Sequence, residues 1–206
     1  MADLTRSEEA TRPDAAAAVE RARRSVPSGW WGMVLLIATE ATLFSSLIAS
    51  YFYLRLQVGP WPPPGVPKPS IVLPLAFTAM LVAGAMPMLG AVRASRRGRR
   101  AATWWLIAAA FCVQATYLGL QVHLFVIDLN EFSPRDTAYG SIYFALLGIH
   151  HAHVAVGLAL EAWLLAVLAR GLTNYRLIAV RVVALYTYFV ALIAIPVVLT
   201  QLSPSL

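Results

Sequence analysis

Five stretches of this chain are apolar over lengths that match the thickness of a lipid bilayer: Trp30–Leu56, Ile71–Val92, Thr103–Ile127, Ala138–Leu168 and Leu177–Leu199. A helix needs about 20 such residues to cross the hydrocarbon. Lipid offers backbone N–H and C=O groups no partner, so each stretch must satisfy its own hydrogen bonds as a continuous helix. The expected fold is all-α: an integral membrane bundle of five transmembrane helices occupying residues 30–206. The fourth stretch is about 30 residues long, roughly 45 Å of helix, so it must tilt or project beyond the hydrocarbon. Pro74, Pro87 and Pro196 are expected to kink or bound their helices.

Composition excludes the main alternative. Hydrophobic residues make up 59% of the chain and charged residues 13%, against roughly a quarter charged in a soluble domain. The net charge of +6 raises nucleic acid as a partner, but the basic residues are confined to short segments between apolar runs. That distribution reports membrane orientation and argues against phosphate binding. Residues 1–29 are polar and mix Glu8, Glu9, Asp14 and Glu20 with several arginines. They lack the apolar centre of a signal peptide and carry too many acids for a transit peptide. They read as a cytoplasmic N-terminal tail, with a short surface helix from Ala15 to Arg24. Cys112 is the single cysteine and reads as a plain core or lipid-facing residue.

Orientation follows from the connecting segments. One side carries Arg6, Arg12, Arg21, Arg23 and Arg24, then Arg93, Arg96, Arg97, Arg99 and Arg100, then Arg170, Arg176 and Arg181. The other holds only Arg55, Lys68 and Arg135, beside Asp128, Glu131 and Asp136. The positive-inside bias places the N-terminus in the cytoplasm and the C-terminus on the periplasmic or extracellular side. Trp30, Trp31, Trp104 and Trp105 fall at the inner interface and Trp61 at the outer one, as an aromatic belt requires.

Ionisable residues inside a span are expensive and mark polar sites. Glu40 lies about ten residues past Trp30, roughly 15 Å into the membrane. Two readings stand for it: a proton-exchanging or lipid-facing carboxyl, or a neutral acid hydrogen-bonded to a neighbouring helix. His150, His151 and His153 sit in the middle of the fourth span. His150 and His153 share a face and His151 points elsewhere. Glu161 returns three turns later to nearly the azimuth of His150, and Gly157 between them permits close helix approach. Glu40, His150, His153 and Glu161 are the candidate proton or polar network.

Such ligand types suit iron or zinc, yet no matching set of ligands faces them from another span. His123 lies near the outer end of the third span, beside Gln121 and Asp128, and reads as an interface residue. A bis-histidine haem would need central histidines on two helices. There is no CxxCH, no glycine-rich phosphate loop, and no nucleophile with an evident base. No catalytic residue, cofactor site or metal site is assigned to this chain, which reads as a subunit that depends on partners.

Two longer patterns carry a resemblance. The first span reads Trp31-Gly32-Met33, then Ala38-Thr39-Glu40-Ala41-Thr42-Leu43-Phe44, then Tyr51-Phe52-Tyr53-Leu54-Arg55, followed by Trp61-Pro62-Pro63-Pro64-Gly65. The fourth reads Ala138-Tyr139-Gly140-Ser141-Ile142-Tyr143-Phe144, then Gly148-Ile149-His150-His151-Ala152-His153-Val154, then Gly157-Leu158. In order and spacing, from about Trp30 to the C-terminus, these resemble subunit III of the haem–copper terminal oxidases (cytochrome c oxidase) in its shorter five-helix bacterial form. Two departures stand out. His151 replaces the family's glycine between the paired histidines. The family's W-H-F-V-D in the last span is here Leu185-Tyr186-Thr187-Tyr188-Phe189-Val190-Ala191, so that motif is either dispensed with or replaced by Tyr188 and His151.

The resemblance implies a non-catalytic subunit of a respiratory complex in the bacterial plasma membrane. Subunit III carries no haem or copper, which belong to its partners. It packs beside catalytic subunit I, in a complex with copper-bearing subunit II, holds phospholipids, and supports proton uptake while oxygen is reduced and protons are translocated. By position, Glu40 corresponds to the family's membrane carboxyl, and His150 and His153 to its paired histidines. Arg55 and Trp61 correspond to an outer helix end where lipid or a partner binds. Three alternatives compete: the related subunit that accompanies nitric oxide reductases, an independent proton or ion transporter using Glu40 and His150, and a membrane metalloenzyme built on the histidines.

Overall fold

The computed structural model describes residues 28–171 and 174–205. It holds five helices and, among the described residues, no strand: α1 Ser28–Gln57, α2 Val72–Arg96, α3 Arg100–Glu131, α4 Ala138–Leu168 and α5 Asn174–Leu202. All five are long and apolar enough to cross a membrane, so this is a multi-pass membrane protein. The expected tail, its surface helix and the five arginines before Val26 lie outside the described residues.

The helices outrun the apolar stretches at their polar ends. α1 begins at Ser28, α2 runs on to Arg96, and α3 spans Arg100–Glu131. Arginine and glutamate are good helix formers, and a helix once nucleated extends until a stop signal. α2 has such a signal in Gly98, at φ +68. Arg99 N–H donates to the Ala94 carbonyl and Gly98 N–H to that of Ser95, a paired closure that requires a left-handed residue past the helix end. Pro74 lies in the first turn of α2, where its missing N–H is of no consequence. Pro87 and Pro196 lie inside α2 and α5, which run through them.

Neighbour relations define the architecture. α2 packs on α3 and α5, and α4 packs on the same two, while the backbones of α2 and α4 stay apart. Helices α2 to α5 therefore form a four-membered ring, and α1 lies outside it in the groove between α4 and α5. At the end where α4 stops, Arg100 Nε donates to the Leu168 carbonyl at 2.9 Å. Its Nη2 reaches the Ala169 carbonyl, and Trp104 Nε1 donates to the Leu165 carbonyl at 3.2 Å. The carbonyls at this helix C-terminus, two of which also accept backbone N–H groups, are thereby engaged by a cation and an indole from α3.

Glycines mark the tightest approaches. A Cβ on Gly140 would lie 2.5 Å from the Ser133 carbonyl oxygen, and one on Gly84 2.9 Å from Val113 Cγ1. Gly157, expected to admit a neighbouring helix, accommodates the Tyr186 ring instead, and its Cβ would sit at an ordinary 3.5 Å. Gly140 also donates its N–H to Thr137 Oγ1 at 3.0 Å, the N-cap of α4. Gly140→Ala is therefore expected to destabilise the protein by about 1–3 kcal/mol, because its neighbour is backbone and cannot rotate away. Gly157→Ala should be near neutral. Thermal unfolding in detergent, followed by circular dichroism, compares the two. Equal melting temperatures would contradict the N-cap geometry.

Candidate functional site

Glu40 on α1 and His153 on α4 meet near the middle of their helices. Glu40 Oε2 lies 2.9 Å from His153 Nε2. The other ring nitrogen, His153 Nδ1, is 2.7 Å from the Ile149 carbonyl one turn earlier. A carbonyl can only accept, so Nδ1 carries a hydrogen. Nε2 then holds a lone pair for a neutral carboxylic acid, or a second hydrogen for a carboxylate. In either form the pair shares one proton along a single hydrogen bond. The Phe44 ring, fully buried, meets His153 edge-on with centroids 5.1 Å apart. The pair itself is half-buried, with side-chain exposures of 24% for Glu40 and 15% for His153, so it borders the outer face of the bundle where α1 lies.

His150, one turn before His153, faces the ring interior instead. It is 1% exposed, and its Nε2 lies 3.4 Å from Tyr117 Oη on α3. Tyr117 Oη accepts from Gln121 Nε2 at 3.4 Å, leaving its own hydrogen for His150 Nε2. His151 packs its ring on Phe125, centroids 5.7 Å apart. The two family-matched histidines thus serve different neighbours, α1 and α3.

Glu161 is fully buried and forms a third polar centre. Its Oε1 accepts from Gln114 Nε2 at 2.9 Å and from Thr187 Oγ1 at 3.0 Å, joining α3, α4 and α5. The expected network is resolved into three separate centres: Glu40–His153, His150–Tyr117–Gln121 and Glu161–Gln114–Thr187. The α3 members were missed from sequence, although Gln114, Tyr117 and Gln121 fall at i, i+3 and i+7 on one helix face, a spacing that signals a buried polar stripe. In the divergent last span, the hydroxyls that reach α4 belong to Tyr186, which donates to the His153 carbonyl at 3.2 Å, and to Thr187. Tyr188 and His151, proposed replacements for the missing motif, do not meet in this way: Tyr188 Oη is buried without a partner, and His151 turns toward Phe125.

At the C-terminal end of the bundle, Arg55 Nη1 donates to Ser203 Oγ at 2.9 Å, tying α1 to the residues after α5. Trp61 inserts between Tyr51 and Tyr139, edge-on to both at 5.3 and 5.1 Å, so its ring is engaged within the chain. His123 is exposed on α3. Among the described residues, no group of three or more His, Cys, Asp or Glu side chains is placed to hold a metal ion.

Residues 17–201 match the family model described as cytochrome c oxidase subunit III. Curated relatives agree. The cytochrome c oxidase subunit 3 of Lumbricus terrestris is 30% identical over 66% of this chain and 54% of its own length. That of Gallus gallus is 30% identical over 62% and 50%, and that of Coturnix japonica 28% over 79% and 64%. The chain spans about half the length of several of the curated relatives it matches.

The Glu161 centre makes a stability prediction. Glu161→Leu would leave the Gln114 amide and Thr187 hydroxyl buried without their acceptor, at about 1–3 kcal/mol each. Glu161→Gln keeps an acceptor oxygen and should lose less than half as much. Thermal unfolding of both variants measures the ratio, and an equal loss would remove Oε1 from its bridging role.

Proposed function

Because this chain belongs to the cytochrome c oxidase subunit III family, we propose that it is the non-catalytic subunit III of a respiratory haem–copper terminal oxidase in a bacterial plasma membrane. Its partners are the catalytic subunit I and the copper-bearing subunit II, which hold the haem and copper. Its N-terminus faces the cytoplasm and its C-terminus the periplasm, in keeping with the arginine-rich connection between α2 and α3. Its role is to support subunit I, to bind phospholipid and to sustain proton uptake.

The observation that supports this reading best is the Glu40–His153 hydrogen bond. It joins the two residues that match the family's motifs on separate helices, and it places one proton on a single hydrogen bond between them in a half-buried position. Such a pair can take up or release that proton with little rearrangement of heavy atoms. It sits on the side of the bundle where α1, exposed over most of its length, offers a surface to a partner or to lipid.

Purification through a tag on this chain tests the assignment directly. The expected product is a complex with a haem spectrum and the two larger oxidase subunits. Recovery of the chain alone from respiring cells would oppose it. Glu40→Gln tests the site. The amide still donates to His153 Nε2, so assembly should be unchanged, but the shared proton is gone. Proton uptake, or the number of turnovers before inactivation, should fall several-fold. Glu40→Leu should in addition loosen α1 by about 1–3 kcal/mol, because Nε2 is left without a partner. A Glu40→Gln oxidase identical to the parent in both rate and durability would remove the pair from the mechanism.

A further inference from the structure

The four-helix ring has a polar axis, and the axis is hollow on one side. A cavity of about 130 Å³ lies between α2, α3, α4 and α5 in the C-terminal half of the bundle, where the backbones of α2 and α4 do not approach closely. Asp128, Tyr143, Gln121, Tyr117, Gln201 and His150 are among the residues lining it. A second pocket of about 270 Å³, bordered by Lys68 and Glu131, shares Pro69, Ser70, Asp128 and Tyr143 with the first. The two therefore adjoin, and the outer one lies at the ends of α2 and α3.

Two lining side chains carry buried polar atoms with no protein partner. They are His150 Nδ1 and Gln201 Nε2, in residues 1% and 7% exposed. With Tyr117 donating to His150 Nε2, the hydrogen of a neutral His150 lies on Nδ1, a donor in want of an acceptor. An acyl chain offers neither atom anything, and leaving buried polar groups unpaired is unfavourable. Water meets both needs, and the cavity has room for several molecules together with the several polar groups that each would require.

The other half of the ring is closed. Met88, Ala91, Ile107, Leu164, Leu168, Val180, Val183 and Ala184 form a contiguous apolar cluster, each 0–3% exposed. None of these eight side chains offers a water a hydrogen bond.

We propose that the ring encloses a water-filled half-channel that opens at the C-terminal end of the bundle, reaches His150 at mid-membrane, and is sealed toward the N-terminal end by the apolar cluster. The His150–Tyr117 pair is then in contact with the aqueous phase on the C-terminal side, while Glu40–His153 lies one turn further along α4, where α1 packs. The inference stands on the geometry of this chain and does not require the oxidase assignment.

Hydroxyl-radical footprinting by X-ray radiolysis of the purified native complex tests it, since radicals formed from an adjacent water oxidise the side chain beside it. Tyr117 and His150 are expected to be oxidised several-fold faster than Met88, despite similar burial and although methionine sulfur is inherently prone to oxidation. Tyr117 and His150 as silent as Met88 would overturn the proposal, and equal labelling of all three would overturn the seal. Ala194→Leu, which fills the cavity from α5, should suppress labelling at Tyr117 and His150 alone. Should that variant fail to assemble, high-resolution density of the parent complex decides: ordered waters from Asp128 to His150 support the half-channel, and an acyl chain or an empty cavity refutes it.

Discussion

Hydrocarbon supplies no hydrogen-bond partner, and the polar architecture of this protein is organised by that fact. Every carboxyl, amide or imidazole carried into the membrane must be matched on another helix, on its own backbone or by water. Each match fixes both the rotation and the depth of the helices it joins. Glu161 binds one amide and one hydroxyl through a single oxygen, setting α3, α4 and α5 in mutual register. Glu40 does the same for α1, which touches only α4 and α5 and has few other buried side chains to hold it. Apolar contacts between helices provide packing, but lipid competes for them on nearly equal terms. The polar bridges specify which of many similar packings is adopted.

Helix α4 is the organising element. It presents different sides to three neighbours, and its histidines are distributed accordingly: His153 toward α1, His150 toward Tyr117 on α3, His151 toward Phe125 on α3. The distribution follows from the 100° step of a helix applied to consecutive and i, i+3 positions. It also separates proton chemistry of two kinds. His153 is held in one tautomer by its own backbone and coupled to an acid. His150 is coupled to a phenol, with its remaining nitrogen unpartnered.

Much of this was legible in the sequence. Spans can be read because length and apolarity are one-dimensional properties, and all five fell where hydropathy put them. Glu40, His150, His153 and Glu161 could be singled out because an ionisable group in lipid is conspicuous whatever surrounds it. Their partners could not. A single sequence gives the azimuth of a residue on its own helix but not the angle at which the next helix is turned, so it does not pair Gln114, Tyr117 or Thr187 with an acid or histidine on another span. The same gap explains Trp61. An aromatic residue near an interface suggests a lipid belt, and only the folded loop reveals that its ring is enclosed between Tyr51 and Tyr139. Ring closure by α2 to α5, which leaves the axis open, depends on four interhelical angles at once and has no one-dimensional signature.

The last span shows how such a bundle pairs its buried polar groups. At a buried interface the requirement is that donors and acceptors balance, and the identity of the groups is secondary. The last span of this chain offers hydroxyls to α4. Tyr186 donates to the α4 backbone beside His153, and Thr187 donates to Glu161. Glu161, an acid on α4, accepts what the last span now donates, so the acidic partner stands on α4 opposite Thr187. The contact between α4 and α5 is thereby bridged by two hydrogen bonds donated from α5. Among the described residues, a histidine–acid pair stands only where α1 meets α4, at Glu40 and His153. If the shared proton there matters to function, no second pair of that kind among the described residues stands in for it, and the consequences of removing it should be correspondingly undiluted.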